Sequence, residues 1–154
     1  MRRKDREITE RAIIEEIISN SDVCRIAMAD NNVPYIVSLN FGYTGGDKPC
    51  FWFHCAPEGR KLLMLEKNNY VCFELDTDHK LYPGEEACDW GMNFSSVVGY
   101  GKVYIVKELE EKIKGLRQIM LKYSGSKEFK FNEKVLERTK VLMLEVDEMT
   151  GKRK

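Results

Sequence analysis

An antiparallel β-barrel with peripheral helices is the fold predicted for this chain, in the mainly-β or α+β class. Three observations predict it. Six short apolar or aromatic segments recur at strand length. Most of them are joined by Gly, Pro, Asn and Asp, the residues of turns. Helical periodicity is confined to the ends and flanks, whereas a parallel βαβ sheet would alternate strand and helix throughout.

Ile8, Ala12, Ile13, Ile17 and Ile18 recur at helical spacing among Glu and Arg before Ser19, Asn20, Ser21 and Asp22, which predicts an amphipathic helix over 7–19. Residues 23–29 and 33–43 read as a hairpin, because Asp30, Asn31 and Asn32 between them tolerate positive φ. After the turn at 44–49, the run Cys50-Phe51-Trp52-Phe53-His54-Cys55 is too aromatic and too short for anything but a strand. Ala56, Pro57, Glu58 and Gly59 break it. A short helix follows over 60–67, where Leu62, Leu63, Met64 and Leu65 sit among Lys and Glu, and Asn68-Asn69 ends it before a strand over 70–76.

Residues 77–91 carry Pro, Gly and acids without periodicity, which predicts a long loop of the functional kind. A strand over 93–106 contains Gly99 and Gly101, and glycines inside a strand mark a bulge, a bend or a close approach. Leu109, Ile113, Leu116, Ile119, Met120 and Tyr123 give a further helix, ended near Ser124-Gly125-Ser126, and 139–146 is the last strand. The basic termini, Arg2-Arg3-Lys4 and Gly151-Lys152-Arg153-Lys154, are expected to be frayed and solvated.

The 154 residues, 43% apolar and 32% charged, suit one domain over 1–154 with its core at about 7–148. Lys and Arg number 25, as do Asp and Glu, so no whole-chain field exists to hold nucleic acid or an anionic membrane. The longest apolar runs fall far short of the roughly 18 residues of a membrane span, and the charged N-terminal segment is unlike a signal peptide. A cytoplasmic location is therefore expected. Cys24, Cys50, Cys55, Cys72 and Cys88 are odd in number and lack CxxC spacing, which argues against disulfides and zinc. Asp76, Asp78, His79 and Cys88 match no ligand frame, so no metal is expected.

The segment richest in chemistry runs from Phe53 to Lys61, where a strand ends, Gly59 permits a tight turn and two cations open a helix. A helix N-terminus offers unpaired N–H groups, Arg60 can fork onto phosphate oxygens, and Lys61 adds a point charge. Without an anion, cations in a first turn oppose the helix dipole at a cost of roughly a few tenths of a kcal/mol. The competing reading pairs Arg60 and Lys61 with Glu58 or Glu66 in solvent. His54 can donate a hydrogen bond or relay a proton, or can be a half-buried strand histidine. Asn40 can hydrogen-bond a heteroaromatic ring or face water; Ser95 and Ser96 can reach a phosphate or ribityl chain or sit plainly on a sheet. Trp90 can stack on a planar ligand or plug a barrel end, the commoner role.

Taken in order, these pieces resemble the pyridoxamine 5'-phosphate oxidase-like split barrels, and among them most the nitroimidazole-resistance (Nim-type) branch. The resemblance rests on Pro34-Tyr35-Ile36-Val37-Ser38-Leu39-Asn40-Phe41-Gly42-Tyr43, Phe53-His54-Cys55-Ala56, Gly59-Arg60-Lys61 and Ser96-Val97-Val98-Gly99-Tyr100-Gly101-Lys102-Val103, and spans roughly 3–148. It implies a six-stranded antiparallel split β-barrel forming a homodimer, with one FMN at each end of the subunit interface. It further implies that Val37, Ser38, Leu39 and Asn40 meet the flavin ring, and that Phe53 and His54 line the pocket. Gly59, Arg60 and Lys61 would clamp the phosphate, and Ser95, Ser96 and Val97 would help at that end. His54 is the catalytic candidate by the same resemblance. The family's vitamin B6 oxidases carry a C-terminal Trp and Arg for substrate; this chain ends in Met149-Thr150-Gly151-Lys152-Arg153-Lys154, without that pattern. The function implied is FMN-dependent reduction of a small molecule such as a nitro compound. The alternatives are a flavin- or haem-related binding or storage protein without turnover, pyridoxamine 5'-phosphate oxidase-like activity, and a redox-responsive regulator.

Overall fold

The computed structural model describes residues 3–154; Arg2 of the basic start lies outside them. The strands are β1 (Glu7–Ile8), β2 (Cys24–Asp30), β3 (Val33–Leu39), β4 (Gly42–Thr44), β5 (Cys50–Cys55), β6 (Tyr70–Tyr82), β7 (Gly91–Ile105) and β8 (Lys140–Arg153). The helices are α1 (Arg11–Asn20), α2 (Arg60–Lys67), α3 (Leu109–Ser124) and α4 (Glu133–Arg138). Among the described residues all strand pairings are antiparallel, in the order β3-β2-β6-β7-β8-β5-β4, with β1 added to β8. Six strands are long and two are short. The sheet is curled but open, since β3 and β4 end the path without pairing to each other.

The β2–β3 hairpin turns on Asn31 and Asn32 at φ 48° and 63°, the two left-handed positions that a type I′ turn requires. Along β5 the side chains alternate: Phe51 and Phe53 join the main core, Trp52 faces α3, and His54 is exposed. The main core is closed by Ile14, Ile17 and Ile18 of α1 and by Leu62, Met64 and Leu65 of α2. A second cluster of Cys50, Trp52, Val106, Ile119 and Val141 lies under α3. In β7, a side chain on Gly101 would put its Cβ 2.0 Å from the Glu145 carbonyl oxygen. The register against β8 slips there, from Tyr100↔Glu148 to Gly101↔Val146, so the strand glycine does mark a bulge.

Four expectations change. The first helix starts at Arg11, because Glu7 and Ile8 pair with Lys152 and Gly151 of β8. The C-terminus is not frayed: β8 runs to Arg153, Lys152 lies 4.9 Å over the Phe94 ring, and Lys154 lies 5.0 Å over Tyr82. The 77–91 loop shrinks, since β6 continues to Tyr82 and pairs Lys80, Leu81 and Tyr82 with Asn93, Met92 and Gly91. A register shift between Thr77 and Lys80, with Asp78 at φ 60°, hides the period-2 pattern that would have revealed this strand. The 33–43 strand breaks after Leu39, so Asn40 is not within it. No helix among the described residues is long and apolar enough to cross a membrane.

Candidate functional site

The β5 strand ends at Cys55, and Gly59 at φ 137°, a value that side-chain-bearing residues rarely adopt, turns the chain into α2. The Gly59 carbonyl accepts from the Leu62 N–H at 3.0 Å, and no side chain caps the helix. The N–H groups of Arg60 and Lys61 and the positive end of the helix dipole are therefore left for a ligand or solvent. Arg60 is exposed and Lys61 half-buried at this end. Among the described residues neither enters an ion pair, so the pairing with Glu58 or Glu66 is not formed. Instead the Arg60 guanidinium lies over the Tyr35 ring, 4.8 Å from its centre. Burial raises the Cys55 thiol pKa, and the nearby Lys61 and Lys140 charges partly offset that rise.

That Arg60–Tyr35 contact brings α2 to β3, two elements that are remote in sequence. Tyr35, Val37 and Leu39 pack against the core, while Ser38 and, just past the strand, Asn40 are exposed. Because β3 pairs with β2 alone, its other backbone edge is open. A cleft of about 330 Å³ adjoins Arg60, lined also by Asp30, Asn31, Val33, Leu63, Met64 and Lys67. Lys67 is tied to Asp30 at 2.6 Å. Val33, Leu63 and Met64 line this cleft without carrying any signal of it in the sequence. Helical spacing places Leu63, Met64 and Lys67 with Arg60, but nothing in the pattern says that β3 comes alongside.

The other candidates are placed differently. His54 is exposed at the end of β5, opposite Val141. Phe53 and Val97 are 0% exposed core residues, which puts them beneath the surface and not at its face. Ser95 and Ser96 are buried on β7; Ser95 accepts from Arg153 at 3.0 Å, and Ser96 lies opposite Asp76. Neither serine lines the cleft beside Arg60. Asp76 accepts from Arg25 at 2.5 Å and lies 2.9 Å from His79, while Glu74 takes a second Arg25 contact at 3.0 Å. Burial, helped by Asp76, raises the Glu74 pKa. Trp90 is exposed after the short turn at Ala87–Asp89, not plugging a barrel.

The family model described as pyridoxamine 5'-phosphate oxidase matches residues 10–153. The chain belongs to the pyridoxamine 5'-phosphate oxidase family. Within that family's fold, a crystal structure of a proposed 5-nitroimidazole antibiotic resistance protein from Bacteroides thetaiotaomicron is 34% identical, with a TM-score of 0.83 over 96% of this chain and 86% of that one. A flavocytochrome from Azotobacter vinelandii superposes with a TM-score of 0.82 at 18% identity, covering 100% of this chain and 72% of that one. An FAD and haem binding protein from Mycobacterium smegmatis gives 0.80 at 12% identity, over 96% and 73%. At those identities the last two share the fold alone. No curated protein matches the chain.

Proposed function

We propose that the protein is a homodimeric, FMN-dependent oxidoreductase that reduces a small molecule such as a nitroimidazole or a related nitro compound. The observation that carries this is the pair of uncompensated cations, Arg60 and Lys61, at an uncapped helix start beside an open strand edge. A terminal phosphate fits there: it would meet free N–H groups, a forked guanidinium and an ammonium without displacing any carboxylate. Gly59 leaves open space, since a Cβ there would meet nothing within 4 Å. The likeness to the Bacteroides protein supports the substrate class.

FMN, when bound, supplies the electron transfer. Arg60 and Lys61 hold its phosphate. The open edge of β3 at Val37, Ser38 and Leu39, with the Asn40 amide, offers hydrogen bonds to the polar edge of a ring. His54 donates a proton or a hydrogen bond to the substrate. The buried Ser95 and Ser96 would come from a second copy, since no residue of β7 lines the cleft beside Arg60. The outer face of the sheet, which exposes Ile36, Tyr70, Val98, Tyr100 and Tyr104, is the surface on which that copy would seat.

The test is colour. Purified protein should be yellow, bleach with a reductant under anaerobic conditions and recolour when metronidazole is added. Bleaching without nitro-dependent recovery favours a flavin-binding protein that does not turn over this class of substrate. Arg60→Ala combined with Lys61→Ala should abolish copurified flavin, and full retention of colour refutes the phosphate assignment.

A further inference from the structure

We infer that Tyr35 is a positioning residue for the phosphate clamp, holding the Arg60 guanidinium in place while leaving its charge free for the anion. The inference rests on the flavin reading above and adds a residue to that site. Arg60 is an exposed side chain with many rotamers, and fixing it on ligand binding costs conformational entropy. In proteins an arginine is usually fixed by a carboxylate, which neutralises it and competes with any incoming phosphate. Here the guanidinium carbon sits 4.8 Å from the centre of an aromatic ring. A ring attracts the cation by its quadrupole but carries no net charge, so the forked N–H groups keep their full appetite for phosphate oxygens.

Both partners are anchored from below. Tyr35 lies on the core-facing side of β3, opposite Met28, which is itself 3% exposed. The α2 helix is held by Leu62, Met64 and Leu65, all buried. The turn at Gly59 then aims the first residue of the helix back over the strand. Neither anchor depends on a ligand, so the contact pre-forms the clamp and also links the phosphate end to the strand proposed to meet the ring.

The experiment compares FMN with riboflavin, which has the same ring and ribityl chain but no phosphate. Apoprotein is titrated with each while flavin fluorescence is followed, for wild type, Tyr35→Leu and Tyr35→Phe. Tyr35→Leu should weaken FMN binding about 2- to 5-fold, the loss of one exposed cation–π contact. It should leave riboflavin affinity unchanged, and Tyr35→Phe should bind FMN like wild type because the ring is retained. Equal loss for both flavins would mean that Tyr35 only packs the strand, and unchanged FMN affinity in Tyr35→Leu would mean that it does not position Arg60; either overturns the inference while the flavin reading stands. Wild-type protein that binds neither flavin removes both.

Discussion

The Tyr43 phenol shows how one half-buried side chain writes itself into the pH dependence of the fold. Burial, and after it the nearby Glu15 charge, pushes its pKa from 10.0 up to about 12. In the window between those values the unfolded chain has lost the proton while the folded chain keeps it. The stability that Tyr43 contributes is therefore whole below pH 10 and is lost as pH rises toward 12. Tyr43→Phe, which cannot ionise, should lose less melting temperature than wild type across that alkaline range; parallel melting curves would refute the assignment. Among the candidate site residues, Arg60 and Lys61 are legible because a turn holding Pro57 and Gly59, followed by two cations, is a local pattern. The ring beneath Arg60 is not, because Tyr35 meets it only through the packing of β3 against α2.

At the scale of elements, α3 is seated by small residues. A Cβ on Gly115 would come 2.5 Å from Cε3 of Trp52 and 2.9 Å from Val141. That indole cannot swing aside freely, since it is 1% exposed and its Nε1 donates to Thr44 Oγ1 at 3.0 Å. Alanine would gain about 1 kcal/mol of helix propensity over glycine. Overpacking a core typically costs about 1–3 kcal/mol. With a buried, hydrogen-bonded indole and the buried Val141 side chain at these distances the clash wins, so Gly115→Ala should lower the melting temperature; a rise would show that α3 can shift outward. The strand and helix limits at 50–55 and 60–67 follow from local composition and agree with β5 and α2. Where long-range pairing overrides local signals, the reading fails: Glu7 and Ile8 leave the helix for β8, and β6 runs through a bulge that scrambles its alternation.

Across the whole molecule, the proposal draws the site from two copies, with Arg60 and Lys61 at the start of α2 in one and the buried serines of β7 in the other. The face that would join the copies exposes Tyr100, stacked on Tyr70 with ring centres 6.2 Å apart. An isolated surface substitution usually changes stability by within about 0.5 kcal/mol. Tyr100→Arg should accordingly keep the fold, read by circular dichroism, yet shift the solution mass from twice the 18.0 kDa chain to a single chain and release the flavin. A monomer that stays yellow would refute the two-copy site.

By itself the sequence determined the fold class, the turn residues, most helix and strand centres and the two adjacent cations that open α2. Each of these depends on side-chain periodicity, turn chemistry or charge within a few residues of the chain. Only the tertiary structure decided that Phe53 and Val97 sink into the core, that the C-terminal Lys and Arg residues become strand, and that an aromatic ring supports Arg60. Those outcomes depend on which strand lies beside which. That is settled by burial and backbone pairing over the whole sheet, and no short window of residues records it.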